Sequence, residues 1–277
     1  MQNPAGQIQL IFVSLLAVGA WVRPLPRPRQ LMVSMLALIA VSAIVLAQLS
    51  SHSLRPAASE TLRDWLPAGL LLVPYWQIGG FFIKPDPQME VRLTAFDQAF
   101  FRILRIQPAK VSIGTAAGVY LELAYLMVYP LIPLGLAAIY LTHLQRFANY
   151  YWIVVLPSTY TCYAVTPFVR AMPPRVLSYY PKFRMPASQI GMLNHWILRR
   201  ASIQATTFPS AHVASSVAAA LVLLRLEPSV GLIFLGISLS IALATIVGGY
   251  HYAADVLLAV PAAVLVFLAT YALLRPA

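Results

Sequence analysis

The chain is short of charge. Only 10% of its 277 residues are Asp, Glu, Lys or Arg, while 60% are hydrophobic and the mean hydropathy is +0.76. A soluble domain of this size carries about 25% charged residues, so a water-soluble globular protein is excluded. Acidic residues are scarcest, 8 against 19 basic ones, and of the basic ones 3 are Lys and 16 Arg. In a soluble protein the net charge of +11 would point to nucleic acid. Between apolar spans it points instead to basic loops against anionic headgroups, and no nucleic-acid partner is implied. The preference for Arg adds one further reading, because the guanidinium fork fits phosphate oxygens. The only cysteine, Cys162, rules out an intrachain disulfide, a CxxC pair and a cysteine zinc site, and leaves the redox compartment unread. No basic residue precedes the first apolar run, "IQLIFVSLLAVGAWV". It therefore lacks a signal peptide's charged leader and reads as a retained span. No internal repeat and no water-soluble domain is visible.

Apolar segments fall at roughly 8–22, 31–49, 65–83, 115–142, 149–170, 210–226, 229–248 and 252–273, several of them near the ~20 residues a crossing requires. The expected fold is all-α, a polytopic transmembrane bundle of about six to eight spans, with a kink at Pro130 and Pro133. Two units are expected: 1–110, N-terminal spans plus an interfacial helix, and 111–277, a catalytic membrane bundle. Residues 90–106, "EVRLTAFDQAFFRILRI", alternate charge with Leu and Phe at helical spacing. They fit an amphipathic interfacial helix and a packed connecting helix equally. The connections sort into two sets; 23–30, 84–110, 171–208 and 248–251 share one face, the last three long or polar. That face holds 14 of the 19 Lys and Arg, or 8 against 5 without 170–208, and by the positive-inside rule it is cytoplasmic.

Ionisable groups inside apolar spans are costly and so are functional candidates. Glu122, His212 and Asp255 stand out, with His251 at a span boundary. In "GGYHYAADVLLAV", His251 and Asp255 are four apart and share a helix face. A carboxylate there can take the Nδ1–H of the imidazole and leave Nε2 as a nucleophile, although such a pair can also be purely structural. In "TTFPSAHVASSV", Thr207 is the expected N-cap with Pro209 in the first turn. The free N–H groups of that terminus and the Ser210 hydroxyl would suit an anion, and His212 on the same turn could give a proton to a leaving oxygen. Helix parity places both histidine stretches at one membrane face. "TPFVRAMPPRVL" adds Arg170, which an ordinary basic loop explains, and Arg175, a better phosphate clamp beside the rigid Pro173–Pro174 pair. Glu122 reads first as a structural residue, with hydrogen bonding to a polyol headgroup as the alternative, and stays outside the catalytic set.

"PSAH" followed by "HYAAD" resembles the type 2 phosphatidic acid phosphatase (PAP2) superfamily, over about 166–262. The resemblance implies a six-helix catalytic core. It makes His251 the nucleophile that forms a phosphohistidine, Asp255 its orienting group, and His212 the proton donor and later the base. Ser210 and the backbone around Ala211 would hold phosphoryl oxygens, with Arg175 and Arg170 as further phosphate ligands and neither metal nor cofactor. Four positions, in three motifs, depart from the family pattern. Ala211 stands where the family has Gly, Ala244 and Thr245 where it has Ser-Arg, and Phe168 where it has Lys. Lys182, Arg184, Arg199 and Arg200 are candidate substitutes for the lost cations. "FPSAHVAS", "YHYAADV" and the "PP" element look like the inositol phosphorylceramide synthase and sphingomyelin synthase-like branch and its bacterial relatives, which move a phospho-alcohol between lipids. A diester carries less charge at phosphorus and needs fewer cations.

The sequence thus predicts a lipid phosphatase or phosphotransferase of the membrane, with a lipid phosphate as substrate and water or an alcohol or polyol as acceptor. A bacterial inner membrane, with the site on the cytoplasmic face, is the expected location. A transporter or lipid-binding protein is the competing class. A transporter calls for repeated halves and midplane charge, whereas here the polar groups collect at one face.

Overall fold

The computed structural model describes residues 4–50 and 53–274. These form twelve α-helices: α1 (Pro4–Val22), α2 (Arg27–Ser50), α3 (Pro56–Leu70), α4 (Leu72–Gly80), α5 (Pro87–Ile103), α6 (Thr115–Leu126), α7 (Val128–Leu141), α8 (Ala148–Val165), α9 (Gln189–Ala201), α10 (Ala211–Leu226), α11 (Pro228–Val247) and α12 (Ala253–Leu274). Among the described residues there is no strand, only one isolated bridge between Ser112 and Arg184. The fold is all-α, as expected.

Four helices are by themselves long and apolar enough to cross a membrane: α1, α2, α11 and α12. α6 and α7 reach that length and apolarity only together, as a pair bent by 62°, which is the form of a broken span or of a re-entrant loop. The bend lies at Met127, ahead of the expected position. Pro130 supplies no N–H to the Leu126 carbonyl, and its ring crowds that carbonyl, so the helix breaks one turn before the proline. The same rule acts between α3 and α4: α3 ends at Leu70, four residues before Pro74.

α8 and α10 are not among the four long apolar helices, α8 through its polar and aromatic residues and α10 through its length of 16 residues. Twelve of the 18 residues of α8 and eleven of the 16 of α10 are buried by neighbouring helices, so these two face protein and not lipid. α10 packs chiefly on α11, α8, α12 and α7, and its "AHVASSVAAA" run of small side chains lets those helices approach closely. The bundle thus closes around α10, the helix that carries His212.

The stretch 171–208 is not only a connection. It contains α9, capped by Ser188, whose Oγ accepts from Gly191 N. α9 turns Asn194 and Leu198 inward and leaves Met192, Leu193 and Trp196 exposed, which is the pattern of a helix at the membrane surface. α5 combines the two readings its sequence allowed. Glu90, Leu93, Thr94, Asp97 and Phe101 are buried at helical spacing, while Val91, Phe96 and Ile103 are exposed on other faces.

Candidate active site

The turn that presents His251 is built by two helix-end motifs back to back. α11 ends with Gly249 in the left-handed region, φ 66°. Tyr250 N donates to Thr245 O (2.9 Å) and Gly249 N to Ile246 O (3.1 Å), the paired bonds of a Schellman ending, for which glycine is the favoured residue. A Cβ on Gly249 would also lie 3.2 Å from Arg175 N, and Arg175 N donates to Gly249 O at 2.8 Å. The "PPR" element is thereby pinned to the turn. α12 then starts with Tyr252 N donating to Asp255 Oδ2 at 3.2 Å, one half of a capping box. Asp97 of α5 takes the next two donors, Ala253 N at 3.0 Å and Ala254 N at 3.4 Å, along with the Tyr180 hydroxyl. His251 is held between two satisfied helix ends.

His251 Nδ1 lies 3.0 Å from Asp255 Oδ2 and 3.0 Å from Thr206 Oγ1, and Thr206 donates its hydroxyl to the same Asp255 oxygen at 2.8 Å. The single hydroxyl proton of Thr206 is then committed to Asp255, so toward the imidazole Thr206 can only accept. With Asp255 ionised, the proton sits on Nδ1 and the lone pair on Nε2. Thr206 is the site residue that sequence reasoning missed. It lies in the "TTFPSAH" stretch, but a hydroxyl in a loop carries no periodic signal.

The His212 ring stands with its centroid 5.8 Å from that of His251, at 82°. Tyr125 and Tyr129 meet its other sides edge-on, with centroids at 6.2 and 6.4 Å. Both imidazoles line a small central cavity of about 20 Å³ with Arg175, Thr207, Tyr75 and Tyr250. Arg175 is the one cation lining it; Arg170, Lys182, Arg184, Arg199 and Arg200 do not. The Arg170 carbonyl accepts from Asp86 N at 2.7 Å, fixing the start of α5.

The start of α10 differs from the expectation in one respect. Its N-cap is Ser210, whose Oγ accepts from Val213 N (3.4 Å), and Thr207 Oγ1 accepts from Ala211 N (3.3 Å). Ser210 N in turn donates to Asp255 O at 3.0 Å. Pro209 precedes the helix, so its ring sets the entry and the next hydroxyl becomes the cap. Three N–H groups of this terminus are therefore engaged, and among the described residues no acceptor engages that of His212. Ser210 and Ala211 sit beside the histidines but do not line the central cavity.

Two larger spaces flank that cavity. On one side an apolar chamber of about 310 Å³ opens from His212, walled by Leu71, Tyr75, Trp76, Val128 and Tyr129. Both proline-induced helix breaks lie in its wall. On the other side is a polar vestibule of about 360 Å³, lined by Glu122, Arg175, Ser188, His195 and Tyr250. Leu198 of α9 borders all three spaces.

The family model of the PAP2 superfamily matches residues 97–270. The chain belongs to the PAP2 superfamily. No curated protein and no solved structure matches it. Membership, with the apolar helices, makes this an integral membrane protein of a phosphatase-type family acting on lipid phosphates. The match starts within α5 and takes in both histidines, Asp255 and Arg175.

Proposed function

We propose that the protein is a lipid phosphatase or phosphotransferase that works through a phosphohistidine on His251. The observation that carries this reading is the His212–His251 pair in one cavity with Arg175, with His251 Nδ1 bound by Asp255 and Thr206. Nε2 of His251 attacks phosphorus, and the P–N bond forms as the ester P–O bond breaks. His212 delivers a proton to the departing oxygen, and in the second step it takes one from water or an alcohol as that oxygen displaces His251. Arg175 meets the charge on the phosphoryl oxygens. The backbone donors are mostly spent on capping α10, so Arg175 carries that task with few helpers, and no metal enters the scheme.

The apolar chamber beside His212 suits a hydrocarbon chain and so favours a lipid over a soluble phosphate ester. On this reading residues 1–110 are N-terminal spans with an interfacial helix, of which α3 and α4 contribute one wall of the chamber, and 111–277 are the catalytic bundle. The loss of cations at Phe168 and Thr245 and the flanking polar vestibule favour the second reading, headgroup transfer of the inositol phosphorylceramide synthase type. The basic face, with the site on it, is read as the cytoplasmic side of a bacterial inner membrane. The test is to offer the purified protein phosphatidic acid, isoprenoid phosphates, and phosphatidylinositol with diacylglycerol or ceramide, and to follow free phosphate against new lipid. Product formation lost in His251→Ala and in His212→Ala supports the scheme. Turnover that survives both substitutions, or no product from any lipid, overturns it and favours a transport or binding role.

A further inference from the structure

The vestibule between α6 and α9 holds a carboxylate whose surroundings call for a ligand. Glu122 is only 8% exposed. Its Oε2 accepts from Asn194 Nδ2 at 2.6 Å and from the Tyr250 hydroxyl at 2.7 Å, and among the described residues no hydrogen bond or ion pair engages Oε1. A buried carboxylate without a cation is expensive. Arg175, which lines the same vestibule, is not within ion-pair distance of it. Its guanidinium lies instead over the Tyr250 ring, 5.4 Å from the centroid. Tyr250 is stacked on Tyr125 at 3.6 Å, so the two charges are held apart by a rigid aromatic pair next to the nucleophile. Gly191 leaves the Glu122 side of the vestibule open, since a Cβ there would come 3.5 Å from Oε1 and 3.1 Å from Ser188 Oγ.

We propose that this vestibule is a second subsite, which takes a hydroxyl-rich group bonded or about to be bonded to the phosphate, with Glu122 Oε1 accepting from its hydroxyls. The inference rests on the phosphohistidine reading and deepens it. A fixed acceptor-only group on one side and a phosphate-binding guanidinium on the other match a polyol phosphate, which brings hydroxyl donors and an anion at once. Water as sole acceptor needs neither the volume nor the carboxylate. In the transfer step the polyol, held in the vestibule, extends one hydroxyl past Arg175 and Tyr250 into the central cavity. That hydroxyl gives its proton to His212 as its oxygen bonds to phosphorus and the P–N bond to His251 breaks.

Two sources of the polyol are separated by two arms of one experiment. With phosphatidic acid as donor and glycerol or myo-inositol as free acceptor, the ratio of polyol phosphate to free phosphate is measured. With phosphatidylinositol against phosphatidic acid, the ratio of kcat/KM is measured. Glu122→Gln keeps the shape and removes the charge, and it is expected to lower one of these ratios about tenfold, the cost of weakening a hydrogen bond to a charged group. Gly191→Leu, which fills the vestibule and leaves the carboxylate in place, is expected to lower the same ratio. Ratios unchanged in both variants, with absolute rates falling together, assign Glu122 a structural role and overturn the proposal. Saturable stabilisation by the polyol, read as a melting shift in wild type and lost in Glu122→Gln, needs no turnover. It therefore distinguishes failure of the subsite from failure of the phosphohistidine chemistry, and its absence in wild type counts against the subsite.

Discussion

His251 is useful as a nucleophile only while its Nδ1 is spoken for, and two residues share that work. Thr206 contributes a contact to each member of the His251–Asp255 pair, so removing its oxygen leaves the carboxylate short of a donor and the ring freer to turn. Thr206→Val is expected to lower kcat by about 10- to 100-fold, the range for one hydrogen bond to a charged group, and Thr206→Ser to restore most of it. Steady-state kinetics on the preferred lipid decide this; a Val variant with wild-type kcat shows that Asp255 alone suffices. Most of this residue-scale picture was legible in the sequence. His212, His251 and Asp255 fall in short segments where local spacing fixes their relation, and Arg175 was marked by its two prolines. Thr206 was not legible, because its partners lie 45 and 49 positions away. Ser210 was read as a phosphate ligand; its oxygen caps α10 by accepting from Val213 N, which leaves its hydroxyl proton for donation to a phosphoryl oxygen.

At the scale of elements, α5 steers the catalytic turn from outside it. Asp97 ties α5 to the first two N–H groups of α12, the helix that carries Asp255. Burial pushes the Asp97 carboxyl up to about 6, against hydrogen bonds from Tyr180, Ala253 and Ala254 that pull it down, and the nearby Asp255 adds to the rise. The folded pKa is raised above the unfolded value near 3.8, so the folded state binds the proton more tightly. Stability therefore falls as pH rises from about 4 through about 6, and the full penalty remains above that. Asp97→Asn removes this titration. The stability of the wild type is expected to fall relative to the variant between about pH 4 and 6, by an amount on the order of 1–3 kcal/mol, read from melting curves at each pH. Parallel pH profiles for the two proteins refute it. The sequence showed α5 through its 3.6-residue pattern, but the tie to Ala253 spans 156 positions and no local pattern encodes it. α9 was hidden for a different reason: its 13 residues mix Arg, His and Asn with Leu and Trp, which reads as loop until the buried face has a partner. The bend at Met127 was half legible: its prolines predict it, but the displacement by one turn follows from where the missing N–H acts. The break at Leu71 was not expected, the segment 65–83 reading as one span.

For the whole molecule, α3 and α4 border the candidate site, although the family match begins only at residue 97. Ala68, Leu71, Leu72, Tyr75 and Trp76 of α3, α4 and their junction form one wall of the apolar chamber. Ala68→Trp is expected to raise KM about tenfold for long-chain lipid phosphates relative to short-chain ones, as lost chain burial predicts. An equal effect on both chain lengths refutes the chamber's role. The all-α bundle was plain from composition, whereas α8 shows that a helix buried by its neighbours need not be strongly apolar. The proposed orientation, with the active-site face cytoplasmic, rests on the excess of Arg and Lys on that face. Cysteines placed at 143–148 should be labelled from outside intact cells and those at 23–30 should not; the reverse pattern inverts the topology.

The central claim is a covalent bond between phosphorus and His251. His212→Ala slows breakdown of that bond, and an activated aryl phosphate as donor supplies a leaving group that needs no proton from His212. Mass spectrometry of the quenched variant is predicted to find the phosphoryl group on the peptide carrying His251, and none in His251→Ala. Turnover by the wild-type protein with no phosphoryl group on His251 in the trapped variant, or with activity retained in His251→Ala, would contradict the account.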